Sequence, residues 1–299
     1  MRCYTICLMT VFHVKKGGSL IEYLTALGHT RTKIKQLISH RAIEVNGKAA
    51  KDLAQLLHKG DKVSVSKDKK GPEPVLSLGM KIVYEDDAVI VLDKPAGLLT
   101  IASETEKTKT AYYALNEYLR QRAPAAGERI FIVHRLDRDT SGLIVFAKNE
   151  AVKRMLQGNW KDVEKRYYAI VEGTPAKKEG EIISRLSETR TLRVYSDPHS
   201  NEAKLSRTKY RVVKHGPEYA LLDILLETGR KNQIRVHLAD IGHPVAGDKK
   251  YGARTDPFGR LGLHAYLLLF THPHTGVPLR FESRMPGRWR GLRLSPIKN

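Results

Sequence analysis

The sequence predicts an α+β fold: a mixed, largely antiparallel sheet with interspersed helices, preceded by a small α+β module. Three observations carry this. The runs Lys81-Ile82-Val83-Tyr84, Ala88-Val89-Ile90-Val91-Leu92 and Leu221-Leu222-Asp223-Ile224-Leu225-Leu226 are rich in aliphatic and β-branched residues and read as strands. Helical stretches around Ala111 to Arg120 and Ala151 to Gly158 fall among them, without the regular βαβ alternation of a parallel doubly wound sheet. Finally, Lys67-Asp68-Lys69-Lys70-Gly71-Pro72-Glu73-Pro74 is charged, broken by Gly and Pro and without apolar period, so it reads as a linker.

Taken in order, residues 1–12 form a leader or an extra strand. Their short apolar run has no small-residue cleavage site after it and is too short to span a bilayer. Residues 13–67 form the small module. Ser19 caps a helix, Glu22 completes a capping box, Leu20, Ile21, Leu24 and Leu27 make its apolar face, and Gly28 suits its end. Thr30 caps a second helix carrying Ile34, Leu37 and Ile38 inward. Ala42-Ile43-Glu44-Val45 runs into the tight-turn signal Asn46-Gly47, and Lys62-Val63-Ser64-Val65 alternates as a later strand. Residues 68–80 are the linker, and residues 81–299 the larger domain.

Composition narrows the partner. Fifty-two Lys and Arg against 32 Asp and Glu leave a net charge of +20. Between residues 11 and 70, thirteen basic residues face five acidic ones, so the small module holds +8 of it. Such an excess suits a polyanion, because each cation can displace counterions from a phosphate. The chain has two cysteines, Cys3 and Cys7, which fits a reducing, cytoplasmic setting without a disulfide framework.

The chemistry concentrates in His134-Arg135-Leu136-Asp137-Arg138-Asp139-Thr140-Ser141-Gly142, which lies between the strand-like Phe131-Ile132-Val133 and Leu143-Ile144-Val145-Phe146. Ionisable groups on a connection between two core strands are rigidly held and costly to desolvate without partners or a task. A polar turn, with Asp137 or Asp139 bonding locally, is the plain alternative. Three later stretches matter with it: Lys165-Arg166-Tyr167-Tyr168-Ala169, in which alternation puts Tyr167 and Ala169 on one face; Thr228-Gly229-Arg230-Lys231-Asn232-Gln233-Ile234-Arg235; and Gly242-His243-Pro244 through Tyr251-Gly252.

The first run resembles the signature of the RluA-type pseudouridine synthases, His-Arg-Leu-Asp-x-x-Thr-Ser-Gly, and the later stretches are similar to that family's motifs in the same order. The resemblance covers roughly residues 80 to 285. It implies a pseudouridine synthase fold for the larger domain, and an isomerase that turns uridine in RNA into its C-glycoside. Asp137, Tyr167 and Arg235 would be its catalytic residues, with Arg235 paired to Asp137. Arg135 would enter the space left by a flipped nucleotide; His134, Leu136, Thr140, Arg230 and Gln233 would line the substrate site. Asn232 departs from the histidine usual there, which puts a supporting hydrogen bond in doubt. Lys94, in Leu92-Asp93-Lys94-Pro95-Ala96-Gly97, matches a family loop and reads as structural or phosphate-facing.

Residues 30–38 with Val45-Asn46-Gly47-Lys48 resemble the alpha-L module of a small-subunit ribosomal protein. That resemblance implies RNA contacts from Arg31, Lys33, Lys35 and Lys48. The combination implies ribosomal RNA, of the large subunit, as substrate and partner, a monomer, and no membrane. The isomerisation is redox-neutral and needs no energy donor, so no cofactor and no metal are expected. The residues alone leave rivals open: Tyr167 as a core aromatic, Arg235 in a surface salt bridge, and Arg135 paired with Asp139. At the level of the whole chain the rivals are a non-catalytic RNA-binding protein and a metal-dependent nuclease built on Asp137, Asp139 and His134.

Overall fold

The computed structural model describes residues 9–14, 17–39, 43–46, 48–50, 52–66, 76–122 and 128–297. The chain divides into two compact units, Met1–Pro74 and Val75–Asn299. Among the described residues, no helix is long and apolar enough to cross a membrane.

The first unit contains β1 (Met9–His13), β2 (Gly18–Ser19), α1 (Leu20–Ala26), α2 (Arg31–Ser39), β3 (Ile43–Val45), β4 (Lys48–Ala49), β5 (Leu56–Leu57) and β6 (Lys62–Ser66). Strands β1, β6, β3 and β4 form one sheet in that order. Residues 9–12 therefore belong to an extra strand, paired antiparallel to β6; residues 1–8 lie outside the described residues. Ser19 and Glu22 make the reciprocal capping box at the start of α1. At the β3–β4 turn Asn46 adopts φ 52, and its side chain donates to Asp61 and accepts from the Lys62 N–H, both at 2.8 Å. Leu20, Leu24, Ile34, Ile43 and Val63 close the core beneath.

The second unit contains β7 (Lys81–Glu85), β8 (Val89–Lys94), α3 (Ala111–Arg122), β9 (Phe131–Ile132), β10 (Ser141–Ala147), α4 (Glu150–Gly158), β11 (Glu164–Glu172) and β12 (Glu179–Glu188). There follow β13 (Val194–Ser196), β14 (Lys204–His215), β15 (Tyr219–Leu226), α5 (Gln233–Asp240), β16 (Leu263–Thr271), β17 (Pro278–Glu282) and β18 (Ser295–Pro296). The sheet runs β13-β12-β14-β15-β11-β16-β10-β8-β7, with β17, β18 and β9 attached to β16, β14 and β10. Among these pairs β10–β16 is parallel and the rest antiparallel. The sheet is thus mixed and largely antiparallel, in an α+β fold.

Strands β8 and β10 are covered on both faces, which is why they read as unbroken apolar runs. Ile90, Leu92, Ile144 and Phe146 enter one core cluster, while Val89, Val91, Leu143 and Val145 enter another. Strand β11 alternates as expected: Tyr167 and Ala169 join the first cluster, while Tyr168 points the other way and stacks on Tyr266 at 3.8 Å.

One boundary needs correction. Residues 76–80 read as linker because Leu76-Ser77-Leu78-Gly79-Met80 lacks a clear period. Leu76 and Met80 are in fact buried in the core of the second unit, joined by a 2.9 Å backbone bond across the short 3₁₀ turn Ser77–Gly79. Two apolar anchors four positions apart suffice to fix this segment; residues 67–75 lie outside the described residues.

Candidate active site

Asp137 sits on the loop between β9 and β10, and several anchors hold that loop. The Thr140 N–H closes a turn onto the Asp137 carbonyl at 3.2 Å. Leu136 is buried, and its backbone exchanges two hydrogen bonds with the Thr100 hydroxyl, at 2.7 and 3.2 Å. The Val145 N–H donates to His134 Nε2 at 3.1 Å, so the neutral ring carries its proton on Nδ1. Burial first, then the charge of Lys165, pushes His134 down to about 3. At the far end Ser141 Oγ accepts from Arg260 at 2.7 Å and meets His264 Nδ1 at 2.8 Å.

Lys94 supports the same loop from below. It is fully buried, and its ammonium donates to the carbonyls of Pro95, Leu98 and Arg138 at 3.0, 2.8 and 3.1 Å. Burial pushes it down to about 7, against the attraction of Asp139 and Asp137. Its role is structural, since a side chain with no exposed surface does not face a phosphate.

Gly142 ends the run for a steric reason. It has φ +113, and a Cβ there would stand 2.1 Å from the Ala265 carbonyl oxygen on the parallel neighbour β16. Strand β10 can approach β16 closely only because this residue lacks a side chain.

The loop brings Asp137 to a cavity of about 270 Å³, walled by Tyr167 and Lys165 from β11, by Trp160, and by Gly229, Arg230 and residues 232–235 around the start of α5. His134, Arg135, Leu136, Thr140, Arg230, Gln233 and Arg235 all line it. The Asp137 carboxylate is 24% exposed and lies 3.5 Å from Arg235 Nη1. Tyr167 is buried, and burial first, then the Asp137 charge, raises its phenol above the ordinary range. At neutral pH that phenol is protonated and can donate but not take a proton.

Arg235 is neither a surface salt bridge nor a simple partner of Asp137. Its Nε and Nη2 form a two-pronged pair with Asp248 at 2.6 and 2.8 Å, and Asp248 is only 1% exposed. Nη1 also donates to Asn232 Oδ1 at 3.0 Å, and the guanidinium lies 5.0 Å from the ring centre of Tyr251. Burial opposes its charge, but Asp248, and then Asp137, outweigh that and raise its pKa. Asn232 supplies the support that its departure from histidine put in doubt. It takes the left-handed φ 53 at the helix start and donates to the Tyr251 hydroxyl at 3.0 Å. Asp248 and Tyr251 were not among the expected site residues; their signal lay in the run from Gly242 to Gly252, which reads as a structural loop.

Two further readings gain detail. Gln233 lines the cavity, but its amide is saturated: Oε1 accepts from Thr228 and from the Arg230 N–H, and Nε2 donates to the Arg207 carbonyl and to Thr208. With two acceptor and two donor places filled, it holds the 228–233 loop. Asp139 pairs with Arg138 at 3.1 Å rather than with Arg135, which is exposed and, like Arg230, lines the cavity. In the first unit Arg31 and Lys35 are exposed on α2, whereas the side chains of Lys33 and Lys48 lie outside the described residues.

A carboxylate at the mouth of a small cavity, an arginine beside it and a buried phenol can attack or deprotonate a ring or sugar, orient the carboxylate, and donate a proton. Comparison with known proteins gives the family. The family model described as RNA pseudouridylate synthase matches residues 88–240, and that of the S4 domain matches residues 26–63. The chain is 34% identical over 286 residues to the uncharacterized RNA pseudouridine synthase YlyB of Bacillus subtilis, covering 93% of this chain and 94% of that protein. It is 36% identical over 289 residues to the ribosomal large subunit pseudouridine synthase D of Nitrosomonas europaea, covering 90% and 81%. The fold is shared with the solved human RNA pseudouridylate synthase domain containing 4, at a TM-score of 0.60 and 24% identity, over 72% of this chain and 93% of that one. The chain belongs to the RNA pseudouridine synthases, isomerases that act on RNA, and carries an S4 domain ahead of its catalytic domain.

Proposed function

We propose that this protein isomerises specific uridines of large-subunit ribosomal RNA, with Asp137 as the essential carboxylate, working as a monomer in the cytoplasm. The carrying observation is the convergence of Asp137, Arg235 and Tyr167 on one cavity. The names of relatives such as the Nitrosomonas europaea protein support the choice of RNA.

The reaction breaks the bond from uracil N1 to ribose C1′, turns the ring, joins C5 to C1′, and releases the C5 proton to solvent while N1 takes up a proton in exchange. Atoms balance without oxidant or donor. Asp137 starts it, as nucleophile or as the base that takes a ribose proton. Arg235 orients the carboxylate, and Tyr167 lies against the ring as a proton donor. The cavity, at about 270 Å³, sits at the lower edge of the roughly 300–1,000 Å³ of small-molecule sites, which suits one nucleotide and not a stacked strand. The uridine therefore leaves its stack, for a few kcal/mol, and Arg135 fills the gap against the neighbouring bases.

The test is tritium release from RNA labelled at uracil C5, taken from cells lacking the gene and given wild-type protein or Asp137→Asn. Release by wild type alone, mapped to large-subunit RNA, is expected. Intact binding with no release by either would leave an RNA-binding protein; release by both would remove Asp137 from the mechanism.

A further inference from the structure

Strands β12 and β13 are joined by a tight turn, residues 189–193, in which Leu192 is unusual on two counts. It takes the left-handed φ 61, and it is 60% exposed. A left-handed backbone crowds a Cβ against the following carbonyl, a crowding that glycine avoids and asparagine tolerates. Several bonds hold the turn in this shape. Thr189 N–H donates to the Arg193 carbonyl at 2.8 Å, Leu192 N–H to the Thr189 carbonyl at 2.9 Å, and Arg193 N–H to Thr189 Oγ1 at 3.1 Å. The Lys250 ammonium fixes the Leu192 carbonyl at 3.0 Å. An exposed leucine gains little burial to offset its strain, so folding does not explain the residue.

The turn is tied to the loop that carries the cavity wall. Lys231, on that loop, pairs with Glu188 at the end of β12. The Tyr251 hydroxyl accepts from the Val194 N–H at 3.3 Å and from Asn232 at 3.0 Å, which joins β13 to the same loop. Lys250 lies within range of the charges of Arg235, Lys231 and Asp137. Four exposed cations therefore stand about Leu192: Arg190, Arg193, Lys231 and Lys250. Arg193 lies 6.0 Å from the ring centre of Tyr251, and among the described residues neither it nor Arg190 meets a carboxylate. A single surface leucine is ordinary. One held against its backbone preference, among cations and beside the cavity, is not.

We propose that this turn is a second contact for the substrate RNA: Leu192 is an apolar wedge that packs on a base flanking the flipped uridine, and Arg190 and Arg193 hold the phosphates beside it. A nucleotide that leaves its stack uncovers the face of a neighbouring base, and an apolar side chain can cover that face in place of water. The wedge works only if it is already fixed, since a mobile leucine would lose its rotamer freedom on binding. The strained turn supplies that rigidity, and the two arginines supply charge complementary to the RNA backbone. A base with an open face belongs to a loop or a single strand, so the occupant is unpaired RNA rather than the side of a duplex. This inference rests on the reading that the chain isomerises uridines in RNA.

The experiment uses the full chain and C5-tritiated ribosomal RNA from cells lacking the gene, with tritium release, filter binding at several salt concentrations and thermal melts for each variant. Leu192→Gly suits the left-handed backbone, so it should melt no lower than wild type while kcat/KM falls roughly tenfold. Leu192→Met keeps an apolar side chain and should stay within about twofold of wild type. Replacing Arg190 and Arg193 together by Ala should weaken binding and flatten the log-log salt slope by roughly 0.7–0.9 per lost phosphate contact. A Leu192→Gly protein with wild-type kcat/KM overturns the proposal, and so does a full salt slope in the arginine pair. If Leu192→Gly melts lower, Leu192→Asn, which also tolerates this backbone, decides by the same comparison. No release by wild type would remove the isomerase reading instead, and the salt slope of the arginine pair would still judge the contact.

Discussion

Asp137 and Tyr167 differ in what they could do because their surroundings differ. One is a carboxylate at the cavity mouth with a single slack contact among the described residues; the other is a phenol whose burial keeps it protonated. Asp137→Asn should therefore cut turnover by at least about 10²–10⁴-fold while RNA affinity holds, as measured by single-turnover tritium release beside filter binding. Tyr167→Phe should preserve the first bond cleavage and slow the later proton transfer, which rapid-quench analysis of the RNA would separate. Both residues were legible because they fall at fixed places in short motifs. The engagement of Gln233 was not legible for the opposite reason: whether an amide is free depends on Thr208 and Arg207, which lie 25 and 26 positions away.

The loop between β9 and β10 depends on a steric device and an acid-sensitive one. Gly142→Ala would press a methyl group into the β16 backbone at an unfavourable φ. We expect a loss of about 3 kcal/mol or more, measurable by urea denaturation. The acid-sensitive device is the pair of neutral histidines at the loop's ends. Burial, followed by the nearby cation in each case, takes His134 down to about 3 and His264 to about 4. An unfolded histidine titrates near about 6.5, so from there down to the folded values the unfolded chain binds more protons. Stability must then fall as pH falls through that window and stay level above it, at up to about 1.4 kcal/mol per pH unit for each histidine. Thermal melts against pH would show this, and His134→Gln should flatten the slope; an unaltered slope would remove His134 as its source. The strand pattern announced this loop, but the anchoring of His134 to Val145 and of Ser141 to His264 comes from strand pairing, which the sequence does not display.

For the whole molecule, the two units are a basic S4 domain and a catalytic domain on an RNA substrate. Arg31 and Lys35 are exposed on α2, on the module that supplies +8 of the net +20. Replacing both by Ala should weaken RNA binding and flatten the log-log salt dependence by roughly 0.7–0.9 per lost phosphate contact. Titrations at several salt concentrations would check it, and a full slope in the variant would show that α2 does not grip phosphate. The linker was legible as a change of composition, although its end was not, because Leu76 and Met80 look ordinary until the core they enter is known.

By itself the sequence determined the α+β class, the order of the two modules, the isomerase family and the prominence of Asp137, Tyr167 and Arg235. Strand alternation, helix capping and short motifs are local, and locality makes them readable along a chain. Only the tertiary structure decided that Arg235 belongs first to Asp248, that Lys94 is sealed beneath the loop, that Gln233 is fully engaged, and that Asn232 takes up the supporting bond. Asp137 and Arg235 are 98 positions apart and meet at 3.5 Å. Which carboxylate an arginine prefers is settled by differences of less than an ångström between groups that the chain itself keeps apart.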